Sequence, residues 1–495
     1  MLFLLSLCSQ IHSRSSVTER NNLPNNSTES SDQIDKKAIS SNKKRKWTKV
    51  KQRRRLFKCS EFHAEEMCRE HLYRIPSILV TKDDTVMAFA NKRKKNLKKN
   101  SDLIRDWNHE TDAVVRISED KGRTWSEEDI TIASWNCLDI HRGPVLYNKH
   151  NDTVYSFMRY CPAKRGMFTN KAQGGANASL DLKNHAIPIE YTKNRSLSDM
   201  RLDKIYKDAK CEKGKGHGDP GSKGKYVVMG DHVSYSKDNG KTWSKPKPIH
   251  LPYPDEAYGA GVANGSHGIQ LSNGRFVIQA RYQLNDDTKR VLFYSDKVKG
   301  LHKGKNWKHG AIISRKGNKD DGTRGKINMS TQEFTIAEHP KNTVVANFRT
   351  GQKTGTGRVE VRIENAERVV QDPHHVAFMH APTAHSSLIR KPDGFEEYFF
   401  STVKSKYDDK DDSESKANSR KGLLLYKIKP KNDNSWEESD PINLTSPLRP
   451  TGYSDMGIFS DGSIAVLFES GQAKARDSEW INYQFMVYKR LKVLR

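Results

Sequence analysis

The chain has 495 residues, 34% hydrophobic and 29% charged, with a formal net charge of +26 at pH 7. That length can bury one large domain or two or three ordinary ones, but a mean hydropathy of −0.85 leaves part of it to solvated loop or tail. No apolar run approaches the roughly 20 residues of a bilayer span, so no transmembrane helix is expected, and six cysteines without a CxxC pair offer no disulfide framework.

In chain order, MLFLLSLCSQIHS (1–13) carries a short apolar stretch without a positive flank, a weak signal-like segment. Residues 14–58 are Ser/Asn-rich and then strongly basic, with KKRK at 43–46 and KVKQRRR at 49–55, and are expected to form a disordered basic tail. Such a tail attracts polyanionic glycan or an anionic membrane surface electrostatically. No zinc-finger spacing, RRM signature or basic helix with heptads is present, so no specific nucleic-acid binding is expected. Eight N-x-S/T sequons, from Asn25 to Asn443, lean toward the secretory route, hence a secreted or endomembrane, lysosomal location.

From residue 59 to 495 short strand-like runs recur between Gly, Asn and Asp: IPSILV, TVMAFA, DAVVRI, TVYSFM, RFVIQARY, VLFYS, EFTIAE, TVVANFR, VEVRI, EYFFSTV, GLLLYKI, SIAVLFES and YQFMVYKR. Regular short strands without a long amphipathic helix predict an all-β domain, a propeller or a sandwich. Residues 403–419 are a charged insertion, read as a loop.

One turn is written twice. SEDKGRTW (118–125) and SKDNGKTW (236–243) share Ser, Asp, Gly, Thr and Trp in one order. Asp120 and Asp238 can bind backbone N–H groups two residues on, Gly122 and Gly240 supply a positive φ, and Trp125 and Trp243 can fold beneath the loop. YSDKVKGLHKGKNW (294–307) and KPKNDNSW (429–436) are degenerate versions. Four Trp-closed hairpins favour a propeller over a sandwich. The turns lack the oxygen ligands of a dedicated calcium loop, and neither a metal nor a cofactor is expected.

YRIPSILVTKDDTVMAFANKR (73–93) resembles the opening strand pair of the sialidases (neuraminidases) of the eukaryotic and bacterial exo-α type, and the two SxDxGxTW turns resemble that family's Asp-boxes. RPTGYSDMGIFSDGSIAVLFESG (449–471) resembles its GYSD segment. The resemblance covers about residues 60–495 and implies a six-bladed β-propeller that hydrolyses terminal sialic acid from sialylated glycoconjugates. It implies that Arg74, Arg349 and Arg420 bind the substrate carboxylate, with Arg390 a rival for the third place. It makes Tyr453 the nucleophile and Glu333 its base. Glu469 would orient Arg74.

The chemistry is coherent. A substrate carboxylate calls for guanidinium, and it repels an attacking carboxylate, so a neutral phenol needing a base is preferred. The acid/base Asp should lie on the loop after AFANKR. Asp106 suits the family spacing, with Asp102 and then Asp112 behind it. Basic residues around that loop would lower its pKa and argue for an acidic optimum. Asn91 replaces the family's Glu, outside the substrate's reach. NGSHGIQLSNGRFVIQARY (264–282) resembles a pocket wall. Rival readings are a trans-sialidase, a sialidase-like lectin that binds glycans without cleaving them, and a scaffold.

Overall fold

The computed structural model describes residues 48–58, 71–94, 110–135, 138–162, 216–217, 230–254, 257–263, 265–284, 287–313, 333–340, 342–349, 358–376, 379, 384–392, 397–404, 420–431, 435–471 and 485–494. Among them the chain is all-β, with one 3₁₀ turn at Gly304–Asn306. No helix there is long and apolar enough to cross a membrane.

The strands form five sheets of antiparallel neighbours. The largest, of nine strands, is two antiparallel groups joined by a single parallel pairing, Thr111 with Asp139. The strands that head the sheets touch one another in a closed circuit. His71–Val80 meets Leu138–Asn148, which meets Ile269–Gln270. That strand meets Phe334–His339, which meets Ser387–Arg390, then Thr451–Ile458, which returns to His71–Val80. The arrangement is propeller-like. Strands near the axis are flanked by sheets on both sides, so FTIAEH, SLIR and HLYRIPSILV are mostly buried, their polar residues included.

The ring is closed by its termini. Thr48–Lys58 pairs with Phe485–Val493 as the outermost strand of the sheet headed by Thr451–Ile458. The stretch expected as tail therefore ends before residue 58. Most of its cations point into water from an edge strand, and Leu56 and Phe57 anchor it in the core.

Each Asp-box follows the third strand of its hairpin set. Asp120 accepts hydrogen bonds from the N–H groups of Arg123 and Thr124, both at 2.9 Å, three and four residues on rather than two. Gly122 and Gly240 have φ of 85° and 87°. The Trp125 and Trp243 indoles donate to the carbonyls of Gly122 and Gly240 at 3.1 and 3.0 Å. Trp125 also meets Tyr488 of the neighbouring sheet, and Trp243 meets Phe89 in the other antiparallel group of its own nine-stranded sheet. The degenerate turns bury Trp307 and Trp436 more deeply, and their indoles donate to the Leu301 carbonyl at 2.8 Å and to Glu360 Oε2 at 2.9 Å. Residues 405–419 lie outside the described residues.

Candidate active site

The heading strands carry Arg74, Glu333 and Tyr453 at their N-terminal ends, opposite the Asp-boxes, and Arg349, Arg420 and Glu469 come to the same end from neighbouring strands. Glu333 and Arg349 flank one hairpin. The register pairs Phe334 with Phe348, and the next pair is closed by the Arg349 N–H on the Glu333 carbonyl at 3.1 Å. Their 16-residue spacing is thus a cross-strand neighbourhood, and Arg349 Nη1 reaches Glu333 Oε2 at 2.6 Å.

Tyr453 sits where the register of Thr451–Ile458 slips between Thr451 and Ser454. Such an irregularity re-aims a side chain. The Tyr453 hydroxyl donates to Glu333 Oε1 at 2.5 Å and accepts from Arg349 Nη1 at 2.8 Å. Arg74, Arg349 and Arg420 place their guanidinium carbons 5.5, 5.9 and 5.3 Å from the Tyr453 ring centre. One phenol, one carboxylate and three permanent cations thus share one place.

Arg74 lies at a second slip, between Arg74 and Ser77, where Ile75 adopts φ 61°. A β-branched residue in the left-handed region is strained and persists only if its surroundings hold it. Glu469 does so. Its carboxylate accepts from Arg74 Nε at 2.6 Å, the Ile75 N–H at 2.9 Å and the Tyr453 N–H at 3.0 Å. The buried Arg142 guanidinium also holds the Ile75 carbonyl, and bonds Ser77 Oγ at 2.8 Å.

Burial pushes the Glu333 carboxyl up, but the Arg349 charge, His385 and the hydrogen bonds from Tyr453 and Arg349 outweigh it and hold it below the ordinary carboxylate range. Glu333 therefore stays ionised, able to accept a proton.

Three further residues at the site were not among those expected from the sequence. His385 is buried, its ring centre 5.8 Å from that of Tyr453. Burial lowers its pKa from the ordinary imidazole value, against the pull of Glu333 and Asp455. Arg358 lies behind Arg349 and donates to the Ala384 carbonyl at 3.0 Å. Burial and the Arg349 charge bring it down to about 9. Asp455 is fully buried below Tyr453, and accepts from the Ile78 N–H at 3.0 Å and Ser387 Oγ at 2.8 Å, with His267 Nδ1 at 2.9 Å. The expected wall segment 264–282 thus reaches the axis through His267.

Among the remaining candidates, Asp102 and Asp106 lie outside the described residues. Asp112 sits inside the strand Glu110–Ser118, bound to Lys94 at 2.8 Å. Asn91 is buried and accepts the Arg142 N–H at 3.4 Å. Arg390, the rival third arginine, is at the opposite end of its strand and pairs with Glu338 at 3.6 Å.

Comparison with solved structures places this geometry in a known fold. The chain is similar to the intramolecular trans-sialidase of Ruminococcus gnavus (TM-score 0.56, 16% identity, 88% of this chain and 97% of that one). It is also similar to the NanB sialidase of Streptococcus pneumoniae (0.58, 15%, 88% and 70%) and the sialidase of Trypanosoma rangeli (0.53, 14%, 89% and 59%). At such identities the likeness is one of fold. A family profile described as "BNR repeat-like domain" matches residues 219–466. That match spans half of the 495 residues, and the chain belongs to the BNR repeat-like domain family.

Proposed function

We propose that the chain is an exo-α-sialidase, a retaining glycoside hydrolase that removes terminal sialic acid from glycoproteins, gangliosides or oligosaccharides. Its fold would be a six-bladed propeller. The closed circuit of heading strands supports that count, with the nine-stranded sheet read as two blades joined by one bridge. The observation that carries the functional reading is the Tyr453 hydroxyl on Glu333, 2.5 Å away, inside the three arginines.

In this reading Arg74, Arg349 and Arg420 grip the substrate carboxylate. Tyr453 Oη attacks the anomeric carbon while its proton passes to Glu333, and the glycosidic C–O bond breaks as Asp106 protonates the leaving oxygen. Water, deprotonated by Asp106, then cleaves the glycosyl–tyrosine bond, Glu333 returns the phenol proton, and configuration is retained. An ordinary tyrosine releases its proton near pH 10 and a glutamate near 4.3, so the bare transfer is uphill by roughly 8 kcal/mol. Three cations around the ring stabilise the charge that develops on the oxygen and offset that cost. The basic N-terminal stretch adds attraction for polyanionic glycan or membrane surfaces, and the setting would be secreted or lysosomal.

The test is release of 4-methylumbelliferone from its sialoside between pH 4 and 7, with Tyr453→Phe beside the wild type and products identified by mass spectrometry. Wild-type turnover giving free sialic acid, reduced roughly 10³-fold or more in the variant, is expected. An anhydro or transferred product would make it a trans-sialidase. Sialoside binding without turnover at any pH would reject the enzyme reading in favour of a lectin.

A further inference from the structure

A second cavity, of about 690 Å³, opens on the Asp-box face of the ring. It is built from the C-terminal halves of the strands whose N-terminal ends form the site above: Val80, Ala337, Ile389, Arg390, Met456 and Ile458. Tyr453 and Ile458 are five residues apart on one strand, roughly 16 Å at the rise of an extended chain. Between the two openings lies the buried Asp455, bonded to His267 and Ser387. The two openings are therefore distinct.

The wall is apolar and the rim is cationic. Lys82, Lys149, Arg390 and Lys391 face Glu338, the only carboxylate among the lining residues. Lys82 and Lys391 are paired with Asp152 and Glu397, at 2.6 and 3.3 Å. Arg390 and Lys149 are not equivalently matched. Glu338 stands 3.6 Å from Arg390 Nη1, beyond hydrogen-bond length, and itself accepts the Ser272 N–H. Arg390 Nε is buried with no hydrogen-bond partner among the described residues. Lys149 is exposed and makes no ion pair among them. A buried donor left unmade is costly, and a guanidinium fits a carboxylate two-pronged. The volume lies in the range of small-molecule sites.

We propose that this cavity binds a small amphipathic carboxylate, such as a medium-chain fatty acid, with its head on Arg390 and Lys149 and its chain against Val80, Ile389, Met456 and Ile458. The site does not depend on the sialidase reading. It is tested by calorimetric titration of the full chain with dodecanoate, below its micelle concentration. One saturable site is expected, weakened about tenfold or more by Arg390→Met and unchanged by Arg420→Ala on the opposite face. Lys149→Glu, on an exposed side chain, and Ile458→Trp, which fills the cavity, should each weaken it too, and they decide the matter if Arg390→Met does not fold. Unsaturable uptake, equal affinity in the folded rim variants, or loss in Arg420→Ala alone would overturn the proposal.

Discussion

Glu469 accepts three hydrogen bonds, two from the Arg74–Ile75 irregularity and one from the Tyr453 backbone. It thus sets how a cation of one sheet faces the phenol of another. Removing it takes the carboxylate away from the buried Arg74 and from two N–H groups. Glu469→Ala is expected to cost about 3–5 kcal/mol of stability, read from urea unfolding. Glu469→Gln keeps the shape but not the charge, so it should raise KM for a sialoside more than it lowers the unfolding midpoint. Wild-type KM in a folded Glu469→Gln would show that Arg74 needs no such partner. The residues expected here from the sequence, Arg74, Glu333, Arg349, Arg420, Tyr453 and Glu469, each stand in or beside a segment whose local pattern resembles a family motif, although Arg74 and Tyr453 meet partners 395 and 120 residues away. His385 and Arg358 stand in no such motif, and Asp455, although it lies in the GYSD segment, has no role that the segment alone reveals. Asp455 meets Ile78 across 377 residues, and nothing local to either marks the encounter.

The Asp-box turn shows what an element contributes beyond its own hydrogen bonds. Gly122 and Gly462 are both turn glycines at positive φ, 85° and 72°. A Cβ on Gly122 would come within 2.2 Å of the Tyr488 ring, whereas one on Gly462 meets nothing within 4 Å. Alanine at either position carries the left-handed penalty of about 1–2 kcal/mol. Gly122→Ala adds overpacking of roughly 1–3 kcal/mol, because the turn is a wedge between two sheets. Thermal melts should therefore rank Gly122→Ala clearly below Gly462→Ala. Equal losses would mean the turn matters only to itself. At this scale most runs of apolar residues between turn formers were legible as strands, although Leu138–Asn148 and Ser387–Arg390 went unread. Nor was the strand Thr48–Lys58 legible. It lies at the outer edge, exposes Lys49, Lys51, Arg54, Arg55 and Lys58, and so has the composition of a tail.

Closure of the ring couples the ends of the chain, since the strand that begins it, Thr48–Lys58, completes the sheet that ends it. Its centre is tied by Asp455, which stands on Thr451–Ile458 and bonds Ile78 and Ser387, on strands of two other sheets, and His267, on the segment that leads into Ile269–Gln270. Burial pushes the His267 pKa down, but the Asp455 charge and hydrogen bond outweigh it and leave it above its ordinary value. Burial likewise pushes Asp455 up, and His267, the Ile78 N–H and Ser387 outweigh it and hold it low. Arg142, the other cation facing Asp455, is brought down by burial only to about 9 and stays charged below that. A raised histidine stabilises the fold fully below its unfolded value, about 6.5, and that contribution is lost as pH rises through the folded value. A lowered aspartate contributes above its unfolded value, about 3.9, and fails as pH falls through the folded one. Both contributions are therefore complete between about pH 4 and 6.5. The melting-temperature gap between wild type and His267→Gln should be widest near pH 5 and shrink toward pH 9. A gap that is constant with pH would mean the imidazole ties the sheets through packing and a neutral hydrogen bond. A gap that widens with pH would place the charge on the wrong partner. With the expected slope, the ring is held most firmly in the acidic range, where a carboxylate base such as Glu333, kept ionised by Arg349, still accepts a proton.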